Sequence, residues 1–206
     1  MWFLIVVVCT IHIFSIDKGH RWLFYTTKIT PILLMSAVVI SDSSAFDYYT
    51  GAVFTALLLS AIGDWYLMQP KDKFIQGLLA FLFAHIAYST AFIYQVDQVT
   101  NYWIFCLLLA LGTIVFLLLL PGLGNSAIPV GVYSFVILIM VWGAIEFWLL
   151  APIPHSAYAM LGAITFVISD IVLAIDRFRS SSAFSRHVVM VTYYTAQGLL
   201  TLSAVT

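Results

Sequence analysis

Two aspartates stand in stretches that are otherwise apolar over membrane length: Asp64 in SAIGDWYLM (60–68) and Asp170 in FVISDIVLA (166–174). A carboxylate at that depth costs about 2.5–3.5 kcal/mol on insertion scales, so it faces the protein interior, needs a partner, and is a functional candidate by default. Two such groups suffice for acid–base chemistry. One carboxyl holds a proton and acts as general acid, while the other, ionised, stabilises developing positive charge and activates water. Lys28 is the one basic residue expected inside a span, and unequal distances from its ammonium would separate the two carboxyl roles. Its ordinary alternative is to snorkel toward the cytoplasmic interface.

Other polar side chains share the setting. Tyr133, Tyr193 and Tyr194 fall at a similar depth, Gln197 is one turn beyond the two adjacent tyrosines, and His85 and Tyr88, three apart, sit nearer the middle. Each tyrosine could equally be a packing aromatic, and His85 with Tyr88 an interhelical hydrogen bond. Glu146, near the outer end of its segment, reads as interfacially exposed. His12, His20, His155 and His187 have no companions at ligand spacing, so no metal and no cofactor is expected. Cys9 and Cys106 lie in apolar runs without metal or disulfide spacing and read as packing residues.

The elements that must hold these groups are membrane spans. With 63% hydrophobic and 8% charged residues among 206 and a mean hydropathy of +1.07, the composition excludes a soluble globular domain. The expected fold is all-α and polytopic, a single domain over 1–206. Its eight transmembrane helices are expected at 1–16, 22–40, 49–69, 74–95, 102–120, 127–148, 156–176 and 187–205, judged against the about 20 residues a spanning helix needs. The connectors carry Pro, Gly, Ser and charge: DKGHR, SDSSAFD, PKDK, PGLGNSA, APIPHS and RFRSSSAFSR.

Charge orients the bundle. Loops after segments one, three, five and seven hold Lys18, Arg21, Lys71, Lys73, Arg177, Arg179 and Arg186, seven of the eight basic residues, and the alternate loops hold none. Under the positive-inside rule both termini lie on the non-cytoplasmic side. Lys28, Asp64 and Asp170 then each sit about six residues, or roughly 9 Å, below the cytoplasmic surface, in one layer. A net charge of −1 and scattered basic residues exclude a nucleic-acid groove.

The order of these motifs resembles one family. Gly63-Asp64-Trp65-Tyr66-Leu67, Gly77…Phe81…His85-x-x-Tyr88, Tyr133, GAITFVISDIVLAIDRF (162–178) and YYTAQ (193–197) together are similar to the YhhN/TMEM86 family of lysoplasmalogenases. That resemblance covers nearly the whole chain and implies an eight-helix membrane hydrolase that cleaves the vinyl ether bond of a lysoplasmalogen, giving a fatty aldehyde and glycerophospho-ethanolamine or -choline. It implies that Asp64 and Asp170 are the catalytic pair. The chain departs from the family where Lys-Pro becomes Lys28-Ile29-Thr30-Pro31.

Vinyl ether hydrolysis suits two carboxylates. Protonation of the alkene carbon distal to oxygen gives an oxocarbenium ion, water adds, and the hemiacetal collapses. The expected partners are the lysophospholipid and membrane lipid, with no obligate protein partner. Its phosphate would approach Lys28, with Arg177 and Arg179 near the mouth, while Tyr133, Tyr193, Tyr194, His85, Tyr88 and Gln197 line the substrate site. The expected location is a bacterial inner membrane. A proton-coupled transporter, which also places Asp and Lys within helices, stays open as the alternative.

Overall fold

A computed structural model describes residues 1–16, 21–43 and 45–206. Among them the chain forms eight α-helices: α1 (Trp2–Ser15), α2 (Arg21–Asp42), α3 (Tyr48–Leu67), α4 (Phe74–Tyr94), α5 (Tyr102–Leu123), α6 (Ala127–Leu150), α7 (Pro154–Phe178) and α8 (Ala183–Val205). Each corresponds to one expected segment. Lys18 and His20 lie outside the described residues.

Among the described residues six helical stretches are long and apolar enough to cross a membrane, and α1, at 14 residues, is a shorter apolar helix. One of the six, Tyr102–Leu150, contains both α5 and α6. The two are divided by a 3₁₀ turn over Gly124–Ser126, where Gly124 takes φ +49, a conformation open to glycine at little cost. They then pack side by side. A Cβ on Gly112 would lie 2.5 Å from Leu138, and one on Gly131 would lie 3.4 Å from Phe116.

Helix α8 is the hub, in contact with α1, α2, α3 and α7. Small residues let backbones approach, the usual device where lipid supplies no hydrophobic drive between helices. Along α7 and α8, Ala159, Ala163 and Ala196 are fully buried, and a Cβ on Gly162 would meet Leu200 at 2.9 Å. Between α3 and α4, a Cβ on Gly77 would lie 2.7 Å from Leu67. Buried polar pairs pin the same hub: Tyr49 shares a 2.8 Å hydrogen bond with Ser203, and Tyr88 donates to Gln197 Oε1 at 2.6 Å.

Several boundaries differ from expectation. Helix α5 continues through Pro121 to Leu123, without the hydrogen bond that an N–H there would make to the Leu117 carbonyl. The expected ten-residue connector before α8 shrinks to 179–182, because Ser182 caps α8 by accepting from the Ser185 N–H at 3.0 Å. Helix α5 sits at the edge of the bundle, burying only Leu119 and Leu123. Cys106 on α5 is consequently exposed rather than packed, while Cys9 is half-buried.

Candidate active site

Pro31 breaks the hydrogen-bond ladder inside α2, since it has no N–H and its ring crowds the preceding turn. The carbonyl left without that N–H is Thr27, four residues back, and the neighbouring carbonyl of Lys28 accepts from the Tyr194 hydroxyl at 3.0 Å. The preceding Thr27 is held as well, its Oγ1 lying 3.0 Å from His12 Nδ1 of α1. Helices α1, α2 and α8 thereby fix the base of Lys28.

The ammonium of Lys28 does not snorkel. Its Nζ lies 3.5 Å from Asp64 Oδ1, and the two side chains are 11% and 3% exposed. On the other carboxylate oxygen, Oδ2, Asp64 accepts from the Tyr193 hydroxyl at 2.7 Å. Lys28, expected to meet a lipid phosphate, is thus engaged by Asp64.

Asp170 has a separate set of partners. Its Oδ2 accepts a short hydrogen bond from the Tyr133 hydroxyl, and His85 Nε2 lies 3.5 Å from the same oxygen. Tyr133 and His85 Nε2 are 3.2 Å apart, closing the triad. His85 is fully buried, and its Nδ1 has no hydrogen-bond partner among the described residues.

Both carboxylates, together with Lys28, Tyr133 and Tyr193, line one cavity of about 280 Å³ between α5 and the rest of the bundle. Phe81 and Phe166 stand between the two sets. Phe166 is edge-on to His85 at 4.7 Å and to Tyr193 at 5.5 Å, and Phe81 is edge-on to Tyr193 at 5.9 Å. Gly63, next to Asp64, is what lets Phe81 close in, for a Cβ there would lie 2.6 Å from its ring. Apart from Ser134 and Ser169 the remaining walls are apolar, among them Leu108, Leu111 and Val115 of α5 and Ile137 of α6.

Not every expected site residue meets the cavity. Tyr88 and Gln197 form the buried pair behind Tyr193, Tyr194 supports α2, and His85 acts at one remove through Tyr133 and Asp170. Glu146 is a correction. Instead of interfacial exposure it is 3% exposed and accepts from the Asn101 N–H at 2.8 Å and the Thr100 N–H at 3.4 Å. Its burial satisfies donors just ahead of α5 that no helix carbonyl can reach. No group of three metal-binding side chains occurs among the described residues.

The profile of the YhhN family matches residues 23–204. The chain belongs to the YhhN family. It is 36% identical over 197 residues to the human lysoplasmalogenase TMEM86A, covering 92% of this chain and 81% of that protein. It is 32% identical over 201 residues to the Rattus norvegicus lysoplasmalogenase TMEM86B, covering 97% and 81%. The membrane protein YhhN of Escherichia coli O157:H7 is 24% identical over 204 residues, 96% of each chain. No solved structure matches the chain. Its apolar helices and these relatives make this YhhN-family chain an integral membrane protein.

Proposed function

We propose that this chain hydrolyses the vinyl ether bond of a lysoplasmalogen, with Asp64 and Asp170 acting together. The observation that carries the reading is that two carboxylates from different helices line one apolar cavity, each held by its own donors. The named activity of the TMEM86A and TMEM86B relatives supports the substrate class.

The two environments divide the labour. Asp64 faces the Lys28 ammonium at 3.5 Å, and in this reading it is the carboxylate that stabilises an oxocarbenium ion and accepts a proton from water. Asp170 is met by Tyr133 and His85, both on Oδ2, which leaves Oδ1 as the oxygen from which, in this reading, a proton is delivered. Asp170 protonates the alkene carbon distal to the ether oxygen. Water then adds to the oxocarbenium carbon as Asp64 takes its proton. The hemiacetal collapses to aldehyde and glycerol hydroxyl, and the proton returns to Asp170. The apolar walls hold the hydrocarbon tail and keep bulk water from the carboxyl pair.

The same reading includes eight membrane crossings with both termini outside the cytoplasm. It is supported by the division of Tyr102–Leu150 into two antiparallel helices and by the confinement of basic residues to alternate loops. A reporter active only in the cytoplasm, fused after Thr206, stays silent under this topology, and a signal there contradicts it. The activity itself is tested by incubating purified protein with a vinyl-ether lysophospholipid. Release of one aldehyde per lipid is expected, and proton-linked solute flux without aldehyde would favour a transporter.

A further inference from the structure

Lys28, expected to meet the lipid phosphate, is held by the buried Asp64 carboxylate. Cations are available elsewhere, at the ends of α3, α4 and α7. A second cavity of about 250 Å³ is lined there by Leu67, Gln69, Pro70, Asp72, Lys73, Phe74 and Arg177. Leu67 and Phe74 also line the carboxylate cavity, so the two spaces share a wall.

The charges in this second cavity are of both signs and are held in place. Arg177 donates a short hydrogen bond to Asp72, and its guanidinium sits 4.9 Å over the Phe74 ring. Asp72 also accepts from the Phe74 N–H at 3.1 Å. Lys73 lies 5.7 Å over the Tyr66 ring. Arg177 and Asp72 are 41% and 65% exposed, so both charges are open to a ligand.

We propose that Asp72, Lys73 and Arg177 form a headgroup site for a zwitterionic lysophospholipid, with the phosphate on Arg177 and Lys73 and the ammonium on Asp72. The inference rests on the reading of the carboxylate cavity as a lysoplasmalogenase site and adds the residues that hold the headgroup. Length supports it. From Asp170 to Arg177 is seven residues of α7, about 10 Å at the helical rise. From the vinyl ether to phosphorus is six bonds, roughly 7 Å extended, with the ammonium about 4–5 Å farther at the same spacing per bond. A lipid with its headgroup here therefore presents its vinyl ether at the depth of the two aspartates.

An Arg–Asp pair is suited to a ligand carrying both charges, because each partner exchanges one counter-ion for another and neither is stranded. Arg177, and then the Phe74 N–H, hold the Asp72 carboxyl below the usual carboxylate range. A carboxyl lowered in this way stays charged as pH falls from 7 into the ordinary carboxylate range and is lost only below it, so headgroup selection persists over that interval.

The test measures binding of saturated 1-alkyl lysolipids, which cannot be hydrolysed, to the full-length protein in detergent. One lipid carries phosphocholine and the other a bare phosphate. Asp72→Asn is expected to weaken the phosphocholine lipid about tenfold and to leave the phosphate lipid within twofold. Arg177→Gln should weaken both. The exchange Asp72→Arg with Arg177→Asp re-forms the ion pair with its poles reversed, and binding should remain weak. Soluble glycerophosphocholine should compete poorly, since it lacks the tail.

An unchanged headgroup preference in Asp72→Asn, or recovery of binding in the exchanged pair, overturns the site and leaves the charges as a tie between α7 and the loop before α4. Competition by glycerophosphocholine as strong as that of the lipid overturns the lipid as its source. Binding with the expected preference but no aldehyde from vinyl-ether substrate would sink the hydrolase reading and spare this site. Intact aldehyde release with no effect of Asp72→Asn would do the reverse.

Discussion

Lys28→Met keeps the length of the side chain and removes the charge opposite Asp64. At 3.5 Å and an effective dielectric of about 20, the lost attraction is about 5 kcal/mol. Breaking a buried pair from one side costs about 3–5 kcal/mol, because the other charge is stranded. The stranded carboxylate has one escape. Taking a proton from water at pH 7 costs an ordinary aspartate about 4 kcal/mol, which caps the penalty near that figure and lowers it by about 1.4 kcal/mol for each pH unit below 7. The variant should therefore be less stable than the parent by about 3–4 kcal/mol at pH 7, with a deficit that narrows toward pH 5. Combining it with Asp64→Asn removes both charges and should recover most of the loss. Aldehyde release should stay low in both. Unfolding in detergent at pH 7 and pH 5 reads the stability of all three species. A Lys28→Met protein as stable as the parent at pH 7, with full activity, would refute the pairing and return Lys28 to the interface.

Other positions give sharper structural outcomes. Gly63→Ala puts a methyl 2.6 Å from the Phe81 ring, so it should cost about 1–3 kcal/mol as overpacking and depress activity. Gly51→Ala, where the nearest contact is an ordinary 3.4 Å, is the control that should melt like the parent. Tyr88→Phe strands the Gln197 carbonyl, which accepts at 2.6 Å, and should destabilise by about 1–3 kcal/mol. Its melting curve checks that, and Michaelis constants near those of the parent would place the pair outside the substrate cavity. Glu146→Ala removes the acceptor of the Thr100 and Asn101 N–H groups. It should lower thermal stability while the fraction that remains folded keeps its rate, and an unaltered melting curve would mean that water replaces the carboxylate.

Much of this architecture is legible in the residues because depth along a helix follows from counting. Counting from the loops puts Lys28, Asp64 and Asp170 in one layer, and Lys28 and Asp64 do meet at 3.5 Å. Which way a side chain faces is less legible. The moment of a helix apolar on all sides says little, so nothing in the sequence pairs Lys28 with Asp64 rather than with Asp170, or gives Asp170 to Tyr133 and His85. Glu146 failed for a related reason: its partners are backbone N–H groups at Thr100 and Asn101, which have no signature in side-chain types. Cys106 failed because a lipid-facing apolar run reads like a buried one. The spacing Lys28-Ile29-Thr30-Pro31 marks Thr27 as the carbonyl that Pro31 leaves without an N–H, and it does not single out the Lys28 carbonyl, the one that Tyr194 takes. The approach of Phe81 to α3 depends on the missing Cβ of Gly63, a contact between helices that spacing alone does not give.

The central claim is that two aspartates with different partners perform one reaction, and rates of aldehyde release from a vinyl-ether lysophospholipid test it most directly. Purified parent, Asp170→Asn, Asp64→Asn with Lys28→Met, and the combination of all three changes would be compared at equal folded concentration. A positioned acid or base contributes about 10²–10⁴-fold, and groups that act as a unit are not additive. Each set of changes should therefore reduce the rate by at least about a hundredfold, with the combined variant little slower than either. A folded Asp170→Asn protein that releases aldehyde at the parent rate would contradict the account, as would losses at the two aspartates that simply multiply.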